Sequence, residues 1–143
     1  MAYLFKQKLN LADLAGRPII GHRVLIHEPE GYLAALYEHY LKAHNFDIKH
    51  CPDLAALKQS IAEFKPQLLI LNAQSAAGPK GGRFWDINFK KDFPELIIVT
   101  TGYNLGVQVL SKLMDAGACG HIDRRLSRPG DLVVMVNALL LRK

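Results

Sequence analysis

Asn72 stands at the abrupt end of a short, strongly apolar stretch in which Pro66 and Gln67 are followed by Leu-Leu-Ile-Leu. A run of this length between two helical patterns is typical of a central parallel strand that is buried on both faces. In open α/β sheets, binding and catalytic groups lie just beyond the carboxyl ends of such strands. We therefore expect any chemistry in this chain around Asn72, although a carboxamide stands where a nucleophile would have to be a carboxylate.

Polar residues also follow three other apolar stretches that we interpret as strands. They are His27, Glu28 and Pro29 after the first strand, Thr101 and Gly102 after the fourth, and Arg124 and Arg125 after the fifth. In a doubly wound sheet of this size the ends of these strands converge on the end of the third. The sequence therefore predicts one site that combines a carboxylate, a carboxamide, a hydroxyl and guanidinium groups.

The elements that position these residues alternate regularly from His22 onward. The predicted strands are Arg23–His27, Phe46–His50, Gln67–Asn72, Leu96–Thr101 and Gly120–Asp123. Amphipathic helices lie between and after them, with apolar residues spaced for one helical face in 33–41, 54–64, 84–91, 107–114 and 132–140. This alternation indicates an α/β fold with a doubly wound, five-stranded parallel sheet and right-handed crossovers.

Residues 1–20 lie outside this alternation, and we assign residues 21–143 to the main domain. Asn10 is a suitable N-cap for a short helix over Leu11–Ala15, which Gly16 and Pro18 would end. The apolar residues of this extension fit an arm that folds onto the domain. They also fit a dimerising or linking segment.

Length and composition limit the class of protein. A chain of 143 residues, half of them hydrophobic, fits one domain with a single core and excludes a disordered sequence. No apolar run approaches the roughly 18 residues that a membrane-spanning helix needs. Lys6, Lys8 and Asp13 interrupt the apolar start too early for a signal peptide. Cys51 and Cys119 lack the spacing of a disulfide framework or a zinc site, so we expect a cytoplasmic protein without a metal.

The formal net charge of +5 is compatible with a polyanionic partner. The basic residues are interleaved with acidic ones until the C-terminal third, however, and a solvated basic surface is the simpler interpretation. No recognition helix is evident, so we do not expect this domain to bind nucleic acid directly.

From Arg23 to the C-terminus the chain resembles the response-regulator receiver family of two-component signalling. The resemblance is carried by the segments "RVLI", "PQLLIL", "IIVTTGY" and "DAGACGHI", and by the order of the strands and helices. It implies a flavodoxin-like (βα)5 fold with the strand order 2-1-3-4-5.

The resemblance also assigns family roles to the residues at the strand ends. Receivers carry two acids after strand one, a phosphoryl-accepting Asp after strand three, a Ser or Thr after strand four, and Lys-Pro after strand five. These positions hold Glu28 and Pro29, Asn72, Thr101, and Arg124 and Arg125 in this sequence, and the aromatic switch position in strand five holds His121. Thr101 alone matches the family, while Glu28 and Arg124 keep only the charge.

These departures change the chemistry that the site can support. An amide oxygen cannot act as the phosphoryl acceptor, because its lone pair is delocalised, whereas a carboxylate can. Mg²⁺ prefers anionic oxygen ligands, and Glu28 is the only acid left beside Arg124. We therefore expect that aspartyl phosphorylation is lost and that the domain is not an enzyme and holds neither metal nor cofactor. Glu28 and Arg124 either form an ion pair or both point to solvent, and the Arg124–Arg125 peptide bond should be trans.

The resulting hypothesis is a pseudo-receiver, a phosphorylation-independent interaction module in signalling or transcription control. Family members dimerise or dock an output domain through the face of their fourth helix, fifth strand and fifth helix. The corresponding residues are Val107, Gln108, Ser111, Lys112, His121, Val133 and Asn137. We expect a protein partner, an output domain or a second copy at this face, and no membrane.

Two alternative hypotheses remain open. Arg124, Arg125 and Arg128 would suit a sensor of a small anionic ligand near helix N-termini. A working phospho-receiver would have to use another carboxylate, such as Glu28 or Asp123.

Overall fold

A single sheet of seven strands organises the part of the chain that the computed structural model describes, residues 2–4, 7–8, 22–76, 89–125 and 127–141. The strands are β1 (Ala2–Leu4), β2 (Gln7–Lys8), β3 (Arg23–His27), β4 (Asp47–His50), β5 (Leu68–Asn72), β6 (Ile97–Gly102) and β7 (Ala118–Asp123). The helices are α1 (Gly31–Lys42), α2 (Leu57–Phe64), α3 (Ala73–Ala76), α4 (Phe89–Asp92), α5 (Val107–Asp115) and α6 (Pro129–Leu141), and a 3₁₀ turn (Leu54–Ala56) precedes α2.

The predicted parallel sheet is confirmed. The strands β4, β3, β5, β6 and β7 lie side by side and pair in parallel, which is the order 2-1-3-4-5 of the five predicted strands. Residues Leu68–Asn72 form the central strand and are buried along their whole length, as the apolar run indicates. The fold is therefore the predicted flavodoxin-like α/β arrangement.

Each face of the sheet has its own apolar core, because successive side chains of a strand point to opposite faces. Val24, Leu68 and Ile70 pack with α1 and α6 on one face. Leu25 and Leu69 pack with α2, α5 and Phe89 on the other face. The two cores hold the parallel strands in register, so that their carboxyl ends meet at one edge.

The 3₁₀ turn before α2 and the end of α2 lie at residues that the sequence makes recognisable. The Asp53 carboxylate accepts a hydrogen bond from the Ala55 backbone N–H at 3.0 Å and so caps the 3₁₀ turn that leads into α2. Lys65 follows the helix in the left-handed conformation, and the Arg23 guanidinium donates to its carbonyl oxygen at 2.8 Å. Arg23 thereby joins the start of the first parallel strand to the end of this helix.

The N-terminal extension contributes strands that the sequence analysis did not predict. β1 pairs antiparallel with β7, and β2 pairs antiparallel with β1, so both extend the sheet beyond the fifth parallel strand. The predicted helix over Leu11–Ala15 lies outside the described residues. Most of the predicted third helix, including Phe84 and Trp85, lies outside them too, and α4 contains the last residues of that prediction.

Among the described residues, no helix is long and apolar enough to cross a lipid bilayer.

Candidate functional site

The polar residues at the strand ends form one buried cluster. Glu28 is 1% exposed, Asn72 6% and Thr101 1%, and the side chain of Arg124 is 22% exposed. Asn72 and Thr101 are register partners at the ends of β5 and β6, while Glu28 directly follows β3. The topology therefore brings together four of the five residues that the sequence placed in this pocket. Pro29 is exposed and offers no polar side-chain group.

The centre of the cluster is a hydrogen bond between Asn72 and Glu28. The Asn72 Nδ2 atom lies 2.9 Å from Glu28 Oε1 and 3.0 Å from Oε2. A carboxylate can only accept hydrogen bonds, so the amide must present its NH₂ group to Glu28. The backbone N–H of Glu30 donates to Glu28 Oε2 at 3.1 Å. These donors replace the water that the buried carboxylate has lost.

Arg124 supplies the positive charge next to this carboxylate. Its Nη1 atom lies 3.9 Å from Glu28 Oε1 and 3.9 Å from Glu30 Oε2. Its Nη2 atom donates to Gln74 Oε1 at 2.8 Å, which holds the guanidinium group in place. The sequence left open whether Glu28 and Arg124 form an ion pair or point to solvent. The structure has the ion pair, and its N–O distance of 3.9 Å is longer than a hydrogen bond.

Gln74 links the ends of three strands although the sequence analysis did not select it. Its amide donates to the Tyr103 carbonyl at 2.6 Å and accepts from the Tyr103 N–H at 3.1 Å, while it also accepts from Arg124. Its position two residues after Asn72 was the available signal, since residues just past a central strand point into the site. A glutamine, however, is ordinarily assigned to the surface.

Tyr37 brings helix α1 into the cluster. Tyr37 is 4% exposed, and its hydroxyl interacts with the side chain of Thr101. Burial raises the pKa of the Tyr37 hydroxyl, and the negative charge of Glu28 raises that pKa further. In the sequence Tyr37 belongs to the apolar face of α1. The available signal was that a buried tyrosine hydroxyl needs a polar partner.

The donor set does not fit a divalent cation. Magnesium needs several oxygen ligands in octahedral geometry, but Asn72 presents N–H groups to Glu28 and Arg124 places a cation beside it. Within the described residues, no group of three or more His, Cys, Asp or Glu side chains is arranged to hold a metal ion. We therefore derive no metal-dependent step from this site.

Arg125 points away from the cluster. It forms an ion pair with Asp123 at 3.0 Å, and its guanidinium carbon lies 5.7 Å from the centre of the Tyr103 ring. The hydrogen bond from Arg125 lowers the pKa of the Asp123 carboxyl, and the same contact raises the pKa of Arg125. The Arg124–Arg125 peptide bond is trans, as predicted.

The residues of the predicted interaction face are divided between core and surface. Val107 and Lys112 are exposed on α5, and Gln108 and Ser111 are exposed with them. His121 is 9% exposed and Val133 4% exposed, so both lie inside the domain rather than on its surface. Val133 packs in the α1–α6 core because the apolar side of α6 is wider than the sequence spacing indicated. Asn137 is partly buried, and its Oδ1 has no hydrogen-bond partner among the described residues.

His121 is hydrogen-bonded inside the sheet. Its Nδ1 atom lies 2.8 Å from the Thr100 hydroxyl oxygen. Burial lowers the pKa of His121 to about 4. The His121 imidazole is therefore neutral at physiological pH and belongs to the core.

No protein-family model matches the sequence, and no curated protein matches it. The signal receiver domain of a Vibrio parahaemolyticus protein assigned as a LuxO repressor is 26% identical with a TM-score of 0.72, and the match covers 86% of this chain and 92% of that one.

Two further solved structures share the fold at lower identity. HP1043, an orphan response regulator of H. pylori, is 18% identical with a TM-score of 0.71, over 86% of this chain and 99% of that one. A CheY-like response regulator receiver domain protein from Methanospirillum hungatei is 14% identical with a TM-score of 0.73, over 85% and 95%. The structural neighbours are response-regulator receiver domains. The likeness at these identities concerns the fold, and the site must be interpreted from its own residues.

Replacing Asn72 by Asp tests the central hydrogen bond. The substitution places two carboxylates within about 3 Å, where a like charge opposes ionisation. We expect Asn72→Asp to lower the free energy of unfolding at pH 7 by roughly 2–4 kcal/mol, measured by urea denaturation. The two carboxyl groups should share a proton in the folded protein, which raises their pKa above that of the unfolded chain. The loss of unfolding free energy should therefore shrink as the pH falls towards 5. Asn104→Asp, at an exposed position, is the charge-matched control, and equal stabilities of the two variants at pH 7 would contradict the contact.

Stability should also fall in acid because of His121. The pKa of His121 in the folded protein is about 4, below the ordinary 6.5. As the pH falls, the histidine is therefore protonated in the unfolded chain before it is protonated in the folded protein. Stability is then full above pH 6.5 and decreases as the pH falls from about 6.5 to 4, by at most about 3 kcal/mol from this residue. His121→Asn keeps an acceptor near the Nδ1 position and should flatten this part of the profile. His39→Asn, at an exposed site, should not, and identical profiles for both variants would count against a buried neutral imidazole.

Proposed function

We propose that this protein is a phosphorylation-independent receiver-like module that acts through protein–protein interaction in signal transduction or transcription control. The observation that carries the proposal is the Asn72 amide, which donates to Glu28 at 2.9 Å at the position where receivers have their acceptor carboxylate. The named neighbours include a response regulator and a protein assigned as a repressor, which is the support for this class of process. We place the module in the cytoplasm and propose no enzymatic activity.

The chemistry of the cluster supports the loss of phosphoryl transfer. Asn72 is not a nucleophile, and its NH₂ group is directed at Glu28. The carboxylate of Glu28 is 1% exposed and already accepts hydrogen bonds from Asn72 and from the Glu30 backbone. Attack on a phosphoryl donor would require this carboxylate to leave those donors. The cluster therefore supports a structural role for Glu28 better than a reactive one.

The exposed side of α5 supports an interaction role. Val107 is 82% exposed and Met114 42% exposed, and Tyr103 just before the helix is 54% exposed. Large apolar side chains grouped on one surface are typical of contacts with other proteins. We propose that the partner, an output domain or a second copy binds here, with Lys112 at the edge of the contact. His121 and Val133 would then support the face from within.

Incubation with acetyl phosphate and Mg²⁺, followed by intact-mass measurement, tests the proposal. We expect no mass increase of about 80 Da, because the acceptor position lacks a nucleophile. A receiver domain that is known to be phosphorylated serves as the positive control for the donor. An adduct on this chain would overturn the proposal, and its loss in Glu28→Gln or in Asp123→Asn would identify the carboxylate that accepted the group.

A second candidate function, binding of a small anion, is favoured by a cavity beside the cluster. The cavity has a volume of about 120 Å³, and Arg124, Arg128, Ser127 and Tyr37 contribute to its wall at the start of α6. The Arg124 Nε atom is buried and has no hydrogen-bond partner within the described residues. Arg125, which the sequence grouped with these arginines, is held by Asp123 instead.

Thermal unfolding in inorganic phosphate and in nucleotides tests this second candidate. Ligand at ten times its Kd stabilises a protein by about 1.4 kcal/mol, which corresponds to a rise in Tm of several degrees. The rise should disappear in Arg124→Gln and persist in Arg125→Gln, which removes an equal charge from a residue outside the cavity wall. If no anion changes the Tm of the wild-type protein, this candidate is excluded.

A further inference from the structure

The outer edge of β7 is occupied by the N-terminal strand pair, which we define as β1 and β2. Without it, the parallel order would end in β7, a strand of six residues. The pairs between β1 and β7 are Ala2–Ile122, Tyr3–His121 and Leu4–Gly120. α6 also lies beside β1.

An open sheet edge presents unpaired backbone N–H and C=O groups and is a template for any extended chain. β1 covers this edge over three residue pairs, whereas five pairs join β6 to β7 on the other side of the strand. The pairing of β7 with β1 is antiparallel, whereas its pairing with β6 is parallel. By its number of residue pairs, the strand pair is a shorter contact on β7 than the parallel ladder on the other side of that strand.

The covered edge lies within the side of the domain to which we assign partner binding. β7 runs between α5 and α6, and α5 contacts it directly. An extended segment that paired with β7 would therefore lie on a strand that α5 contacts. The strand pair therefore occupies part of the surface on which a partner would have to settle.

We propose that the outer edge of β7 is a binding site for an extended protein strand, and that the N-terminal strand pair is its intramolecular occupant. Strand addition gains main-chain hydrogen bonds and needs little matching of side chains. The occupant belongs to the same chain as β7, and a competitor within one chain acts at an effective concentration on the order of 1 mM. A strand from a partner must displace it, so the strand pair regulates access to this edge.

The double variant Tyr3→Pro with Leu4→Pro, in the full chain, tests the proposal. Proline has no backbone N–H, and successive N–H groups of a strand point to opposite neighbours. One of the two lost donors therefore faces β7. We expect hydrogen exchange at Gly120–Ile122 to accelerate at least tenfold. We also expect a labelled peptide with the sequence of residues 1–9 to bind this variant at least tenfold more tightly than the wild-type protein, measured by fluorescence anisotropy.

The expected tenfold difference in peptide affinity follows from the effective concentration of the strand pair within its own chain. Suppose that the peptide binds the open edge with a Kd of about 0.1 mM. A copy in the same chain, at about 1 mM, then makes the closed form of the wild-type protein roughly ten times more abundant than the open form. Tyr3→Thr with Leu4→Val keeps every backbone donor and suits a strand, so this matched variant should behave like the wild type. A peptide that carries the two prolines should bind neither protein.

Two results would overturn the proposal. Unchanged exchange at Gly120–Ile122 in the double variant would mean that the strand pair does not protect β7, and faster exchange without peptide binding would mean that the edge is not a binding site. If the double variant does not fold, the single variants Tyr3→Pro and Leu4→Pro provide the same comparison, since one of them removes the donor to β7.

The regulatory role rests on the proposed interaction function, whereas peptide binding does not involve Asn72. A phosphoryl adduct would therefore leave the peptide result standing.

Discussion

A carboxylate buried at the end of a parallel sheet must receive hydrogen bonds from the protein, and that constraint shapes the whole cluster around Glu28. Glu28 is 1% exposed, and its oxygens accept from the Asn72 amide and the Glu30 backbone. Arg124 lies 3.9 Å away and contributes charge rather than a short hydrogen bond. The Asn72 amide thus supplies the hydrogen bonds that water would supply to a carboxylate at the surface. Because it donates rather than accepts, the same contact that stabilises Glu28 also removes the ligand set for a metal.

The cluster also joins elements that are far apart in the chain. Gln74 holds Arg124 and both backbone groups of Tyr103, so the ends of β5, β6 and β7 are connected by one side chain. Tyr37 connects α1 to Thr101 in the same layer. With Thr101 1% exposed and engaged by Tyr37, its hydroxyl faces the interior rather than an incoming ligand. Satisfied contacts of this kind favour one arrangement of the strand ends, and the buried Nε atom of Arg124 is the member that lacks a partner among the described residues.

The sequence was sufficient for the parallel frame, because strand periodicity is a local signal. Leu68–Asn72 was recognisable from four aliphatic residues and a polar stop, and the site followed from where parallel strands end. The roles of Gln74 and Tyr37 could not be predicted, because each depends on partners 29 and 64 residues away in the chain. His121 and Val133 were assigned to a surface by family position. Their burial depends on how α6 and β6 pack, and no spacing rule encodes that. β1 and β2 are three and two residues long, which is too short for any periodicity to be read.

If the strand ends form an unreactive cluster, a change of state must come from elsewhere in the molecule. A partner shifts a conformational equilibrium only by its difference in affinity for the two states, so a useful switch needs a contact that exists in one state and not in the other. The antiparallel ladder between β1 and β7 is the contact that we propose for this role. The polar cluster and the covered edge lie on the same strand, with Arg124 directly after β7 and His121 within it. A change in the occupancy of that edge would therefore act on the strand that positions Arg124.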